Sequence, residues 1–309
     1  MKGWPPTAAL LLLCAAAGVV GCGLQRSASS SSLSLTVTTG FGSHQLPPPP
    51  HPSAGTAQTA LSLLEANYPV SLSPTGKVEG IDGIRAGAGE VWTLFVDGVT
   101  AEKNPARLIV RPGEAYWWDL HPQLPGKVIG VVGAFPEPFL SGIEGKRYPV
   151  RVECTSVTSK PCRLVLHRIE RLGVPAGLSQ VSAAGETPYT LRLAVGPWPS
   201  LRHLVAASYL EAGPSSSGVA AILSGAGDLL LALAPDGRIA RSFGPGAGLI
   251  ATVSYPTEAP LWLVTGTDEA GVLAAAEHLD EAALRNHYAI AVSPAGEVVP
   301  LPVVGKATR

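Results

Sequence analysis

The sequence predicts a molecule of two domains, an α+β domain with one helix packed on a mixed sheet, followed by an α/β domain. Three observations predict it. Over residues 33–125 short strand patterns surround a single helical stretch, and from Tyr148 apolar strands alternate with helices. Between them, residues 126–147 are punctuated by Gly and Pro. The chain has 309 residues, 46% of them hydrophobic and 15% charged, against ~25% charged in an average globular chain. That is enough apolar material for two cores at ~150 residues each. Lys plus Arg number 22 and Asp plus Glu 23, a formal charge of −1. No basic footprint exists, which sets nucleic-acid binding aside.

Residues 1–21 read as a lipoprotein signal peptide. Lys2 gives a positive start, and Thr7 to Val20 is an unbroken apolar run. Such a run is long enough for a secretory core and too short to span ~30 Å of hydrocarbon. Val19-Val20-Gly21-Cys22 places small residues before a cysteine, which resembles the bacterial signal cut before a cysteine that then carries lipid. Cys22 is therefore the candidate lipidation site, and residues 22–32, rich in serine, a flexible tether. The expected location is the extracytoplasmic face of the cell membrane, lipid-anchored. The other reading is an ordinary secretory peptide cut near Gly21. Only Cys154 and Cys162 then remain, and outside the reducing cytosol they are expected to form a disulfide. A metal site is the competing reading, without further Cys or well-spaced His nearby.

In the first domain (33–125), Leu33 to Thr39 alternates like a strand. Pro47 to Pro50 forces an extended loop. Thr59 to Asn67 suits an amphipathic helix capped by Thr56 or Thr59. Val78 to Ile84 reads as a strand with turn or bulge character. Glu90 to Val96 is a strong strand, Asp97-Gly98 a hairpin turn, and Val99 to Thr100 its return. Arg107 to Val110 and Glu114 to His121 complete the set, separated by a turn at Arg111-Pro112-Gly113. The connection, 126–147, carries Phe135 and Phe139, which should dock on one domain or the other.

The second domain (148–304) opens with a strand at Tyr148 to Glu153 and a helix at Arg163 to Leu172, ended by Gly173 and Pro175. Further strands are expected at Leu191 to Val195, Val219 to Leu223, Leu229 to Ala234, Arg238 to Phe243, Leu249 to Ser254, Leu261 to Val264 and Tyr288 to Val292. Helices are expected at Ser200 to Ala212 and at Asp268 to Leu279, where acids occupy the first turn. No fixed-period repeat is present.

Chemistry is hard to find. The chain lacks the nucleophile-elbow, zincin, phosphate-loop and EF-hand signatures. Gly244 to Gly248 is mis-spaced for a phosphate cradle, and Pro245 removes an N–H it would need. The pairs His278 with His287 and His44 with His51 could approach a metal only through a fold the spacing does not supply. The expectation is no catalytic residues, no metal and no enzyme. The aromatic residues are the remaining lead. Trp92, Phe95, Tyr116, Trp117 and Trp118 fall on two strands. Alternation puts Trp117 and Trp118 on opposite faces, and Trp92 opposite Phe95. At least one indole should then face solvent or a ligand. The competing reading is that they pack beneath the segment around Phe135 and Phe139.

On these residues the chain resembles a known family. The helix TALSLLEAN, the segment VEGIDGI, the strand and turn VWTLFVDGV and the closing RPGEAYWWDLH follow one another as in bacterial relatives of the transcobalamin C-terminal domain. The resemblance covers Leu33 to Pro122 and implies a β-grasp-like fold that caps cobalamin or another corrinoid. Carried over, Trp92, Val96, Asp97 and Gly98 match the first hairpin, and Trp117 and Trp118 the second. The helical domain of those carriers is absent here, and an α/β domain stands in its place.

Two functions are then in view. One is a lipid-anchored protein that holds a small ligand, such as a corrinoid, against Trp92 and one of Trp117 or Trp118, and presents it to an importer. Each stacked ring would add about 1 kcal/mol. The other is an envelope adaptor that binds another protein, with a closed domain interface and no cleft of ~300–1,000 Å³.

Overall fold

The computed structural model describes residues 1, 33–49, 57–182, 189–224, 226–254 and 259–305. The expected signal segment after Met1, the lipidation site Cys22, the tether, His51 and Thr56 lie outside the described residues. The fold is mixed α+β, and Ser31–Arg309 forms one compact unit. Within it we distinguish a first and a second lobe, each built on its own main sheet.

The first lobe holds β1 (Ser34–Thr39), β2 (His44–Gln45), α1 (Ala60–Asn67), β3 (Val70–Leu72), β4 (Val78–Ile81), β5 (Ile84–Arg85), β6 (Glu90–Val96), β7 (Val99–Thr100) and β8 (Ala115–Pro122). Its main sheet runs β2-β1-β8-β6-β7, and a second sheet runs β3-β4-β5. β1 pairs with β8 in parallel and β6 with β8 antiparallel, so the sheet is mixed. α1 starts where Thr59 accepts from the Ser62 N–H and the Ser62 hydroxyl accepts from the Thr59 N–H. This reciprocal cap satisfies two donors that a helix start leaves open. Leu61, Leu63 and Leu64 of α1 then bury against Leu35, Val37, Trp92, Tyr116, Trp118 and Leu120.

The second lobe comprises β9 (Val150–Cys154), α2 (Lys160–Arg171), β10 (Ala176–Gln180), β11 (Leu191–Pro197), α3 (Trp198–Leu201), α4 (Val205–Glu211) and α5 (Pro214–Ser217). It continues through β12 (Ala221–Leu223), β13 (Leu230–Leu233), β14 (Ile239–Phe243), β15 (Gly248–Val253) and β16 (Leu261–Gly266). α6 (Glu269–Glu277), α7 (Glu281–Leu284), β17 (Ala289–Val292) and β18 (Val298–Leu301) close it. The main sheet is β10-β9-β11-β16-β15-β17-β18, with a side sheet β12-β13-β14. Its strands β10, β9, β11 and β16 are parallel, and β15, β17 and β18 antiparallel. α2 and α6 cover one face, with Val165, Ile169 and Val272 in that core; α3 and α4 cover the other through Trp198, Leu201 and Leu210. No helix among the described residues is long and apolar enough to cross a membrane.

Several expected elements differ. Val78 to Ile84 is a tight hairpin, because Asp82 and Gly83 both adopt positive φ and turn the chain. Arg107 to Val110 is not a strand: Pro105–Arg107 is a 3-10 turn, capped where the Asn104 side chain accepts from the Ala106 N–H. α2 begins at Lys160 because Ser159 caps it and Pro161 fits the first turn. The helix expected over Ser200 to Ala212 is split into α3 and α4. Phe135 and Phe139 dock on the second lobe, with ring centroids 6.0 and 5.1 Å from that of Trp262.

Candidate functional site

Three places in the structure hold chemistry worth describing: the joint between the lobes, the Asp97 turn, and a cleft at the edge of the first lobe.

The joint is built by alternation along β8. Tyr116, Trp118 and Leu120 face α1, which leaves Trp117, Asp119 and His121 on the opposite face. There the second lobe delivers Tyr288, whose ring meets those of Phe41, Phe95, Trp117 and His121 at centroid distances of 5.3, 5.3, 5.7 and 5.5 Å. Asp119 has no exposure and accepts from the Thr38 hydroxyl (2.5 Å), the Phe41 and Gly42 N–H groups (3.1 Å each) and the Tyr288 hydroxyl (3.0 Å). The Trp117 indole donates in turn to Thr38 Oγ1 at 2.7 Å. Gly42 must be glycine: it has a φ of 80°, and a Cβ would lie 1.7 Å from the Asn286 carbonyl oxygen. His121 Nε2 lies 2.9 Å from Thr93 Oγ1 and Nδ1 2.8 Å from the Pro122 oxygen. Burial pushes the Asp119 carboxyl up and the His121 imidazole down, while burial and Asp119 together push the Tyr288 phenol up. A carboxylate with four donors, walled by aromatic rings, is an anchor that locks two lobes.

The Asp97-Gly98 turn lies where it was expected, with φ of 50° and 76°. Unlike most such turns it is closed off: Asp97 has no exposure, and its Oδ2 meets no donor. Glu114 and Glu137, 2% and 7% exposed, are its acidic neighbours.

The cleft has a volume of about 370 Å³ and lies between the β4–β5 hairpin and the start of β6. Lys77, Glu79, Arg85 and Glu90 line it together with Val78 and Trp92. None of those four charged residues forms an ion pair with another described residue. Glu90 Oε2 accepts from the Gly87 N–H at 2.8 Å. The Trp92 indole N–H is buried and meets no acceptor.

The residues singled out in the sequence therefore part company. Trp92, Trp117 and Trp118 are 5%, 4% and 2% exposed, so no indole of this set faces solvent as expected. The reason is that both faces of the sheet are covered, one by α1 and the other by the second lobe. Of the ligand-binding candidates, Trp92 lines the cleft just described. Trp118 and the half-buried Val96 pack toward α1, Trp117 lies in the joint, and Asp97 and Gly98 lie beneath the connection. Cys154 and Cys162 are bonded to each other and fully buried. Asp119, His121 and Tyr288 escaped the sequence reading, although polar residues at every second position of a strand were a legible sign. Among the described residues no group of three or more His, Cys, Asp or Glu is placed to hold a metal ion.

No family model matches the chain, and no curated protein matches it. It is similar to the solved structure of a "putative metal binding protein" from Ruminococcus gnavus, at 15% identity over 29% of this chain and 96% of that one, with a TM-score of 0.24. A likeness of that size transfers neither fold nor role. None of these comparisons supports the likeness to transcobalamin-type domains.

Proposed function

We propose that this chain is a non-catalytic binding protein, tethered through Cys22 on the outer side of the cytoplasmic membrane, that holds a small dipolar ligand in the Trp92 cleft. We read its first lobe as β-grasp-like, with one helix laid on a mixed sheet, and its second as an α/β domain. The observation that carries the reading is the cleft itself. Its charges are balanced in sign and unpaired, and its volume falls within the ~300–1,000 Å³ common for ligand sites. Lys77 and Arg85 would take a carboxylate, Glu79 and Glu90 an ammonium group, and Trp92 and Val78 the apolar part. Four charged walls suit an amino acid or short peptide better than a flat apolar macrocycle, so a corrinoid is not the ligand proposed.

Calorimetry with free amino acids and dipeptides, and with their N-acetylated and C-amidated forms, tests this. The expected result is binding of a free zwitterion that capping at either end weakens at least tenfold, as does Arg85→Gln. Binding of a singly charged probe instead would keep the cleft and discard the ligand class. No heat from any probe would discard both.

A second reading, an adaptor that binds another envelope protein, is favoured by the joint, where the expected ligand face is closed by the second lobe's own Tyr288. Silence in calorimetry, with a specific envelope protein cross-linked to the tethered chain, would support it.

A further inference from the structure

The connection between the lobes crosses over the Asp97 turn and is held there by backbone bonds. The Thr100 N–H donates to the Ile129 carbonyl (3.0 Å) and the Val131 N–H to the Gly98 carbonyl (2.8 Å). Contact is tight enough that a Cβ on Gly98 would lie 3.0 Å from the Val131 oxygen. The far side of the same segment belongs to the second lobe: Val132, Phe135 and Phe139 join its core, and the Val132 N–H donates to the Tyr288 carbonyl at 3.2 Å.

Beneath this segment the charges do not balance. Asp97 is faced by Arg111, Glu114 and Tyr116 from the approach to β8 and β8 itself, and by Glu137 from the connection, with Arg147 beyond Glu137. Arg111 donates to Glu114 at 3.2 Å and is partly exposed, and the Tyr116 hydroxyl also donates to Glu114. Both Glu137 oxygens accept from Ser141, at 2.8 Å each. Asp97 Oδ1 accepts from the Ala115 N–H at 2.8 Å, and Oδ2 accepts nothing. Three acidic side chains are thus closed in against two guanidinium groups, Arg111 engaged by Glu114 and Arg147 beyond Glu137, in an arrangement that does not suit a metal ion.

We propose that the connection is a proton-held strap, which closes over the Asp97 turn when that carboxyl is neutral and loosens when it ionises. Burial chiefly, then Glu137 and Glu114, lift Asp97 from its ordinary 3.8 to about 8, against the Ala115 bond and Arg111. The sign follows. The closed strap keeps the proton up to about 8 and the opened one only up to 3.8. Between those values opening becomes up to tenfold easier per pH unit, and above them it levels off. Because the strap's other side lies in the second lobe, loosening it also takes the Val132–Tyr288 backbone bond from the joint, which keeps its Asp119 anchor.

Hydrogen exchange of the full chain, followed over residues 95–101 and 128–141 from pH 5 to 9, tests the strap. Taking the ratio of the chain to its Asp97→Asn variant at each pH cancels the intrinsic exchange chemistry. The expected ratio rises toward pH 8 and then flattens, while peptides from β13 and β14, which pack in the other core of the second lobe, keep a constant ratio. Glu137→Gln, which removes a repelling charge, should bring the plateau to lower pH. Carbon-13 titration of the Asp97 carboxyl in the unmodified chain should show a midpoint near 8, and an ordinary midpoint would sink the strap even if Asp97→Asn fails to fold. A midpoint near 4, or a ratio that does not change with pH, would overturn the proposal.

Discussion

Asp119 shows how much one side chain can hold. Its carboxylate gathers donors from β1, from the loop that follows, and from Tyr288, which lies 169 residues further along the chain. Replacing it by alanine would strand the Tyr288 hydroxyl and two backbone N–H groups in a dry aromatic setting, each unmet donor costing ~1–3 kcal/mol. Asp119→Ala should therefore lower stability by roughly 3 kcal/mol or more in urea unfolding, and Asp119→Asn, which keeps an acceptor, by clearly less. Equal losses would mean that the site needs volume and not an acceptor. The sequence showed β8 as a strand and its two-sided alternation. It could not show that the Trp117 side would be buried, because the covering residue is remote in the chain.

At the scale of elements, those with strong local grammar were legible. The helix cap, expected at Thr56 or Thr59 and found at Thr59, the apolar run of β6 and the Asp97-Gly98 turn all act within a few residues. Elements defined by their neighbours were not. β10 has the sequence AGLSQ and is mostly exposed, so no hydrophobic alternation announces it. β18 includes Pro300, which suits its place at the sheet edge but argues against a strand when read alone. The disulfide ties the last residue of β9 to the first turn of α2, with the Cα atoms 5.9 Å apart. Closing so short a loop is worth roughly 2–3 kcal/mol in the chain-entropy model. Replacing both cysteines by alanine should lower the stability measured by urea unfolding by at least a corresponding amount, and no loss would remove the bond from the stability account.

For the whole molecule, the expected signal segment and the proposed lipid site Cys22 lie outside the described residues, so they make their own prediction. Cys22→Ala should move the protein from the membrane fraction to the soluble one and remove acyl mass from it. A variant that stays bound to membranes would show that something other than lipid at Cys22 holds it there. The candidate cleft was legible only in part. Trp92 stands out in the sequence for its ring, but Lys77, Glu79 and Arg85, which share its cleft, lie in or beside a hairpin that the sequence presents as one strand with turn or bulge character.

The aromatic surface between the lobes has a bearing on how this chain can be handled and how it can have been assembled. Phe41, Phe95 and Trp117 are shielded by Val131 and Tyr288, none of which a fragment stopping at residue 125 would contain. Such a fragment would bare three rings and strand the Asp119 carboxylate without its phenol partner. It would stick to itself before it could be studied. The N-terminal part is thus a half-finished object until synthesis reaches the closing strands, and any homologous exchange of one half would have to carry the matching half with it.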